Sequence, residues 1–304
     1  MSDRPAPPPS APLLPSLAIL LSSVLWGLYW IPMRQMEAEG IEKAWPSLVL
    51  NGAVFLVLLP IALWRWRRLL DGIGGMALSG LLMGLALSLY GISLNLTEVV
   101  RAILLFYLSP AWSTAIGLIW LGERMTARRA GALLFGFAGL MVVLEADSGL
   151  PLPESLGDWM AISAGIAWSV GSTRIFVGRK VPTFELSFCF VIGTVLSSAL
   201  LIATFPAVDI GRAPGLDTVM DTNAAFFLLA MALLIPIFVL TIWGAKRLPP
   251  ATVGILLLGE IVVAVISAAL LLPEEPFGPR QALGAALIIG AGVMEVLPRR
   301  RAKA

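Results

Sequence analysis

Ala251–Leu272 reads ATVGILLLGEIVVAVISAALLL, and its only charged side chain is Glu260. About 20 mostly apolar residues suffice for a helix to cross a hydrocarbon core. This stretch is therefore long enough to span a bilayer, with its single carboxyl group close to the midplane. Nine further runs of the same kind occur along the chain. Their approximate limits are Leu14–Met33, Ser47–Trp64, Gly75–Leu94, Val99–Leu121, Arg129–Leu144, Trp159–Val177, Phe184–Phe205, Asn223–Gly244 and Gly278–Leu297. The expectation is an all-α polytopic membrane protein of ten transmembrane helices, in which two tails and nine short loops take up the rest.

Composition points the same way. Of 304 residues, 58% are hydrophobic and 13% charged, with a mean hydropathy of +0.91. An average soluble chain is roughly 45–50% apolar and about 25% charged. The net charge of +2 gives no field to attract nucleic acid. Histidine is absent, and the one cysteine, Cys189, lies inside an apolar run, where it reads as a small hydrophobe. Zinc sites of His and Cys, and Ser-His or Cys-His catalytic pairs, are excluded. No phosphate-cradling G-x-x-x-x-G-K-[ST] pattern occurs either. The chain reads as a protein that is not an enzyme and has no cofactor and no metal.

Ser2–Pro15 holds six prolines, so residues 1–13 are expected to be a disordered tail. Residues 299–304 form a short basic tail. With the N-terminus placed in the cytoplasm, the tails and inner loops carry fifteen Lys and Arg, among them Arg65, Arg67, Arg68, Arg128, Arg129, Lys246 and Arg247. The outer side carries four, namely Arg34, Lys43, Arg212 and Arg280. This bias predicts both termini inside.

The two halves also resemble each other. Ala18–Trp26 (AILLSSVLW) aligns with Met160–Trp168 (MAISAGIAW), and Leu121-Gly-Glu123 with Leu272-Pro-Glu274. Arg128-Arg129-Ala-Gly131 with Gly139 aligns with Arg280-Gln-Ala-Leu-Gly284 with Gly292. Five spans per half is an odd number, so the second copy enters the membrane upside down. The expected units are residues 14–146 and 154–298. Inverted repeats of this kind recur in secondary transporters, with the substrate near the midplane between the halves.

These residues resemble a known family. Trp26-Gly27, Ser109-Pro110, Leu121-Gly122-Glu123 and the glycines of the following span are similar to the motifs of the drug/metabolite transporter superfamily. Their order over nearly the whole chain resembles paired EamA domains. Glu260-Ile261 departs from the pattern, since many members have Glu-Pro there. The aromatic-rich spans look most like bacterial exporters of aromatic and other amino acids, which implies an inner-membrane location. The resemblance implies a lipid bilayer and a small-molecule substrate as partners.

Glu260 is the sharpest candidate. A carboxylate at the midplane costs about 2.5–3.5 kcal/mol on insertion scales, so it should face the protein interior or an aqueous cavity. There it suits proton coupling or recognition of an ammonium group. The alternative is a carboxyl group spent on an interhelical hydrogen bond. Ser109 is its counterpart in the first half. Tyr29, Tyr90, Tyr107, Trp26, Trp112, Trp168 and Trp243 all fall within spans, where their polar tips need partners. They are the candidates for lining a substrate cavity, the alternative being plain packing. Glu98 and Arg101 share a helix face and are candidates for a gate or an interfacial pair. Pro110 and Pro236 interrupt helical hydrogen bonding and are candidate hinges. The favoured function is a secondary transporter exporting amino acids or related metabolites by alternating access. Export or exchange of other metabolites or drugs is the alternative. An intramembrane enzyme lacks its paired residues, and a channel lacks a charged ring or filter sequence.

Overall fold

The apolar runs fold into helices, and turns within the runs decide where those helices break. The computed structural model describes residues 12–146, 152–178, 181–204, 211–221, 224–272 and 277–297, which contain helices and no strand. Most of the proline-rich tail, all of the basic tail, and Pro273 and Glu274 of the repeat lie outside the described residues.

Three rods are interrupted near their middles. In the first, α1 (Leu13–Gly27) gives way to α2 (Trp30–Ala38). Pro32 has no N–H for the Leu28 carbonyl, which accepts instead from Ile31 at 3.1 Å in a tighter turn. Between α5 (Val99–Phe106) and α6 (Ser109–Trp120), Tyr107 and Leu108 form the break. There Pro110 denies the Phe106 carbonyl its i+4 donor. The third break, at Leu258 between α12 (Pro250–Leu257) and α13 (Gly259–Leu271), has no proline after it. Ile261 N–H donates to the Leu258 carbonyl there at 3.2 Å.

The other helices are continuous. They are α3 (Trp45–Trp64), α4 (Trp66–Leu96), α7 (Ala127–Val143), α8 (Leu156–Val177), α9 (Thr183–Thr204), the short α10 (Leu216–Asp221), α11 (Ala224–Ala245) and α14 (Pro279–Val296). Helices α7 and α8 start with side-chain caps. The Thr126 hydroxyl accepts from Arg129 N at 3.2 Å at the start of α7. Ser155 and Asp158 form a reciprocal capping box at the start of α8.

Eight rods are long and apolar enough to cross a membrane: α1–α2, α3, α4, α5–α6, α8, α9, α11 and α12–α13. Expected spans five and ten are present as α7 and α14, but fall short of that measure. Helix α7, at 17 residues, reaches about 25 Å against a core of about 30 Å, whereas the 18 residues of α14 include Arg280, Gln281 and Glu295. They pack on each other backbone to backbone. A Cβ on Gly139 would lie 2.7 Å from the Gly284 carbonyl oxygen, and one on Gly284 would lie 2.7 Å from that of Gly139.

Helix α4 packs on α8 and α9, α1 on α11 and α13, and α6 on α8 and α12. The α4–α9 contact is built on small residues: a Cβ on Gly84 would lie 2.1 Å from the backbone of Gly193 and Thr194. Beside it the Ser88 and Ser198 hydroxyls share a hydrogen bond of 2.8 Å. Ser22 and Thr241 do the same between α1 and α11 at 2.6 Å. These two pairs of buried hydroxyls are partnered across helices, which satisfies polar groups inside an apolar interior. Facing outward are large apolar side chains such as Ile119, Leu134 and Leu270, exposed by 78%, 70% and 80%. That exterior suits hydrocarbon and not water.

Candidate functional site

The interrupted rods meet at a cavity. Trp26 stands just before the break in the first rod, Tyr107 within the break of the second, and Glu260 just after the break of the third. All three line one cavity of about 50 Å³, together with Tyr90, Ser109 and Trp168. Helix ends are brought close enough to do this by glycine. A Cβ on Gly27 would lie 2.5 Å from the Glu260 carbonyl oxygen, so α1 and α13 touch where the carboxyl group emerges. On the opposite side Gly165 of α8 sits against the Phe106 carbonyl that Pro110 leaves without a helical donor. A Cβ there would lie 2.8 Å from that oxygen. One turn on, Ser169 donates to the Ser109 carbonyl at 2.9 Å.

The wall is a chain of ring contacts. Tyr90 stacks on Phe106 with centroids 4.2 Å apart. Phe106 meets Tyr107 edge to face at 5.1 Å and Trp168 at 6.5 Å. The chain continues from Trp168 to Phe190, Phe238 and Trp26 at 6.2, 4.7 and 6.4 Å. Five helices, α4, α5, α8, α9 and α11, are thus tied to α1 around one space. The Tyr107 hydroxyl and the Trp26 indole N–H are buried without a hydrogen-bond partner among the described residues. A buried polar atom of this kind costs free energy unless something else satisfies it.

Six of the nine cavity candidates converge here: Glu260, Trp26, Tyr90, Tyr107, Ser109 and Trp168. Tyr29 stands behind the wall, edge to face with Trp26 at 5.7 Å. Trp112 is elsewhere, 37% exposed on α6. Trp243 is also elsewhere, at the end of α11 with the Arg247 guanidinium 4.0 Å above its ring. Trp112 lies on a face of α6 turned from the cavity, and Trp243 lies at the end of α11, a helix that supplies none of the lining. Phe106, Leu87, Leu257 and Gly254 complete the lining. They lack polar tips, so a search for unsatisfied groups passes over them. Pro110 packs against Gly254, whose Cβ would lie 3.1 Å from the proline Cα. Pro236 lies inside the continuous α11 and does not line the cavity.

Polar clusters stand at the helix ends. The expected Glu98–Arg101 pair does not form among the described ion pairs. Arg101 reaches Asp158 of α8 instead, at 2.9 Å. Asp158 is fully buried and also accepts from Thr97 at 2.7 Å and from the N–H groups of Glu154 and Ser155 at 3.0 and 3.1 Å. That preformed acceptor outcompetes the exposed Glu98. Elsewhere Arg129 pairs with Glu123 and lies 3.7 Å from Glu295, which accepts from Thr252 at 2.6 Å. Arg65 pairs with the buried Glu185 at 2.6 Å. Lys246 donates to the Val181 carbonyl. Burial holds the Lys246 ammonium below the ordinary lysine range, helped by Arg247 and opposed by Glu185. Among the described residues no three His, Cys, Asp or Glu side chains gather to hold a metal ion.

Comparison with known proteins agrees with this architecture. No curated protein matches the chain. Among the solved structures, one crystal structure aligns over 93% of this chain and 98% of its own, at 22% identity and a TM-score of 0.69. The likeness shows a shared fold. Residues 13–145 match the EamA-like transporter family. With its apolar rods, the chain is a multi-pass membrane protein whose first half is similar to EamA-like transporters.

Proposed function

We propose that the chain is a secondary transporter of the drug/metabolite superfamily, exporting amino acids or related metabolites by alternating access. The observation that carries this is the aromatic cavity with Glu260 in its wall, at the meeting of three interrupted rods. Broken helices at a midplane site are a recurring transporter device. Glu260 is the one carboxyl group of the lining, and when ionised it attracts an ammonium group, to which the aromatic faces around it add cation–π attraction. The Tyr107 hydroxyl and Trp26 N–H are positioned to orient a polar solute. Substrate pockets occupy about 300–1,000 Å³, so a cavity of about 50 Å³ must widen to admit one. Widening on one side while the other stays shut is alternating access. The Asp158–Arg101 and Glu123–Arg129–Glu295 clusters are the contacts such a motion would have to loosen.

The ten-helix inverted repeat belongs to the same reading. Helix α4 packs on α8 as α11 packs on α1, and α4 packs on α9 as α11 packs on α3. Exchanging the halves exchanges these pairs, as a two-fold relation would. The excess of Lys and Arg on one side supports cytoplasmic termini in a bacterial inner membrane.

Uptake of a panel of labelled amino acids into proteoliposomes tests the proposal. The expected result is saturable uptake or exchange, cut by about tenfold or more in Glu260→Gln, with a changed pH dependence if a proton is carried. Failure to move any amino acid removes that substrate class. An unaltered pH profile in Glu260→Gln removes the coupling role.

A further inference from the structure

A second cavity, of about 510 Å³, lies apart from the aromatic one. It is bounded by α2, α13, the end of α7 and the start of α14, and its volume is that of a small-ligand site. Two opposite charges line it, Arg34 on α2 and Glu145 just beyond α7. Trp30 provides an apolar wall, fixed by its indole N–H donating to Ser267 at 3.0 Å. Ala264 keeps the facing side of α13 shallow.

Glu145 is held there at a conformational cost. Its φ is 52°, in the left-handed region. It stands where helices usually place glycine, with Ala146 N–H donating to Met141 at 3.0 Å and closing α7. A side chain retained at such a position points to a use for it. The Glu145 carboxylate accepts from Gln281 at 2.8 Å and lies 3.9 Å from Arg280, so α14 fixes it at the cavity. Arg34 is exposed on the other wall.

We propose that this cavity binds a zwitterionic group, anionic end at Arg34, ammonium end at Glu145, and apolar portion against Trp30. A simple anion would meet Arg34 but also Glu145, whose charge Arg280 offsets only in part at 3.9 Å across an exposed pair, and a simple cation the reverse. A zwitterion satisfies both. A free amino acid and a phosphatidylethanolamine headgroup share this chemistry. The site is independent of the transport reading, since binding here does not require transport.

The test uses purified full-length protein with Arg34→Gln and Glu145→Gly. Glycine relieves the left-handed backbone, which offsets the lost bonds to Gln281 and Arg280, so that variant should melt close to the parent, and Arg34 is exposed. One arm measures binding of labelled L-phenylalanine, with phenethylamine and 3-phenylpropionate as single-charge analogues. The other measures phosphatidylethanolamine retained after exchange into phosphatidylcholine nanodiscs. A loss of about tenfold or more in both variants supports the site. In the first arm, with the analogues similarly weak, the ligand is a free solute, and in the second it is lipid. If neither probe binds, or both readouts stay within about twofold of the parent in both variants, the proposal falls.

Discussion

Replacing Gly84 with alanine should push α4 and α9 away from each other, because they now touch backbone to backbone. The new Cβ would begin 2.1 Å from Gly193 and Thr194, where ordinary contact begins at 3.4 Å. Helices α4 and α9 must therefore separate locally by about 1.3 Å, since backbone on the far side cannot swing away. The Ser88–Ser198 hydrogen bond of 2.8 Å and the Ser88–Thr194 carbonyl bond of 3.1 Å then open past bonding distance. Overpacking of this kind costs about 1–3 kcal/mol, and two interhelical hydrogen bonds add about 0.6 kcal/mol each. A loss of about 2–4 kcal/mol lowers the apparent melting temperature in detergent by roughly 3–6 °C. Size-exclusion chromatography after a heating series measures it. Gly91→Ala is the control, because nothing lies within 4 Å of a Cβ there, and it should melt with the parent. If Gly84→Ala also melts within about a degree of the parent, the close approach of α4 and α9 is wrong.

Further outcomes follow from other contacts. Phe106→Leu keeps the apolar wall but removes an aromatic face that the proposed site offers to an ammonium group, worth about 0.5–1 kcal/mol. The apparent KM of a transported solute should rise by roughly 2- to 5-fold, whereas Trp112→Leu, outside the cavity, should leave it unchanged in proteoliposome uptake. Asp158→Ala deprives Arg101, Thr97 and two backbone N–H groups of their acceptor, while Glu98→Ala deprives none of them. The first should lower the melting temperature clearly more than the second, and equal losses would contradict the assigned pairing. Lys246 binds its proton less readily folded than unfolded, because burial penalises the charged form. The unfolded chain therefore holds more protons just below the ordinary value of 10.5, and stability rises with pH through that window. Lys246→Met should flatten that rise in melting curves taken across it, and a slope identical to the parent's would refute the burial effect.

Much of this arrangement is legible in the residues, for definite reasons. Apolar runs report helices directly, since helical segments form at all ten expected places. Glu260 is found because a charge inside such a run stands out by its cost. Tyr90, Tyr107, Trp26 and Trp168 are found because polar tips in apolar runs need partners. Helical phase and depth are harder to read: Trp112 and Trp243 have the same chemistry, but one turns away on α6 and the other lies at the end of α11, and only the packed helices fix this. Phe106 escapes notice because it resembles every other apolar residue until its neighbours are known. The Arg101 pairing requires Asp158, 57 positions away, and sequence spacing favours the local Glu98. Helices α7 and α14 show that an apolar run can fold as a helix yet fall short of a span, the first in length and the second in apolarity.

The two interrupted rods that face each other across the cavity differ in one atom. At Pro110 the break is permanent, because no rotation of the backbone gives proline a hydrogen to donate. At Leu258 it is provisional. The corresponding Ile261 still owns its N–H, now given to Leu258, and by relaxing that tight turn it could be returned to Leu257. The second half can thus straighten its rod and restore a helical bond while the first stays bent. Of the two rods, the one able to regain a helical bond is therefore the one that carries Glu260.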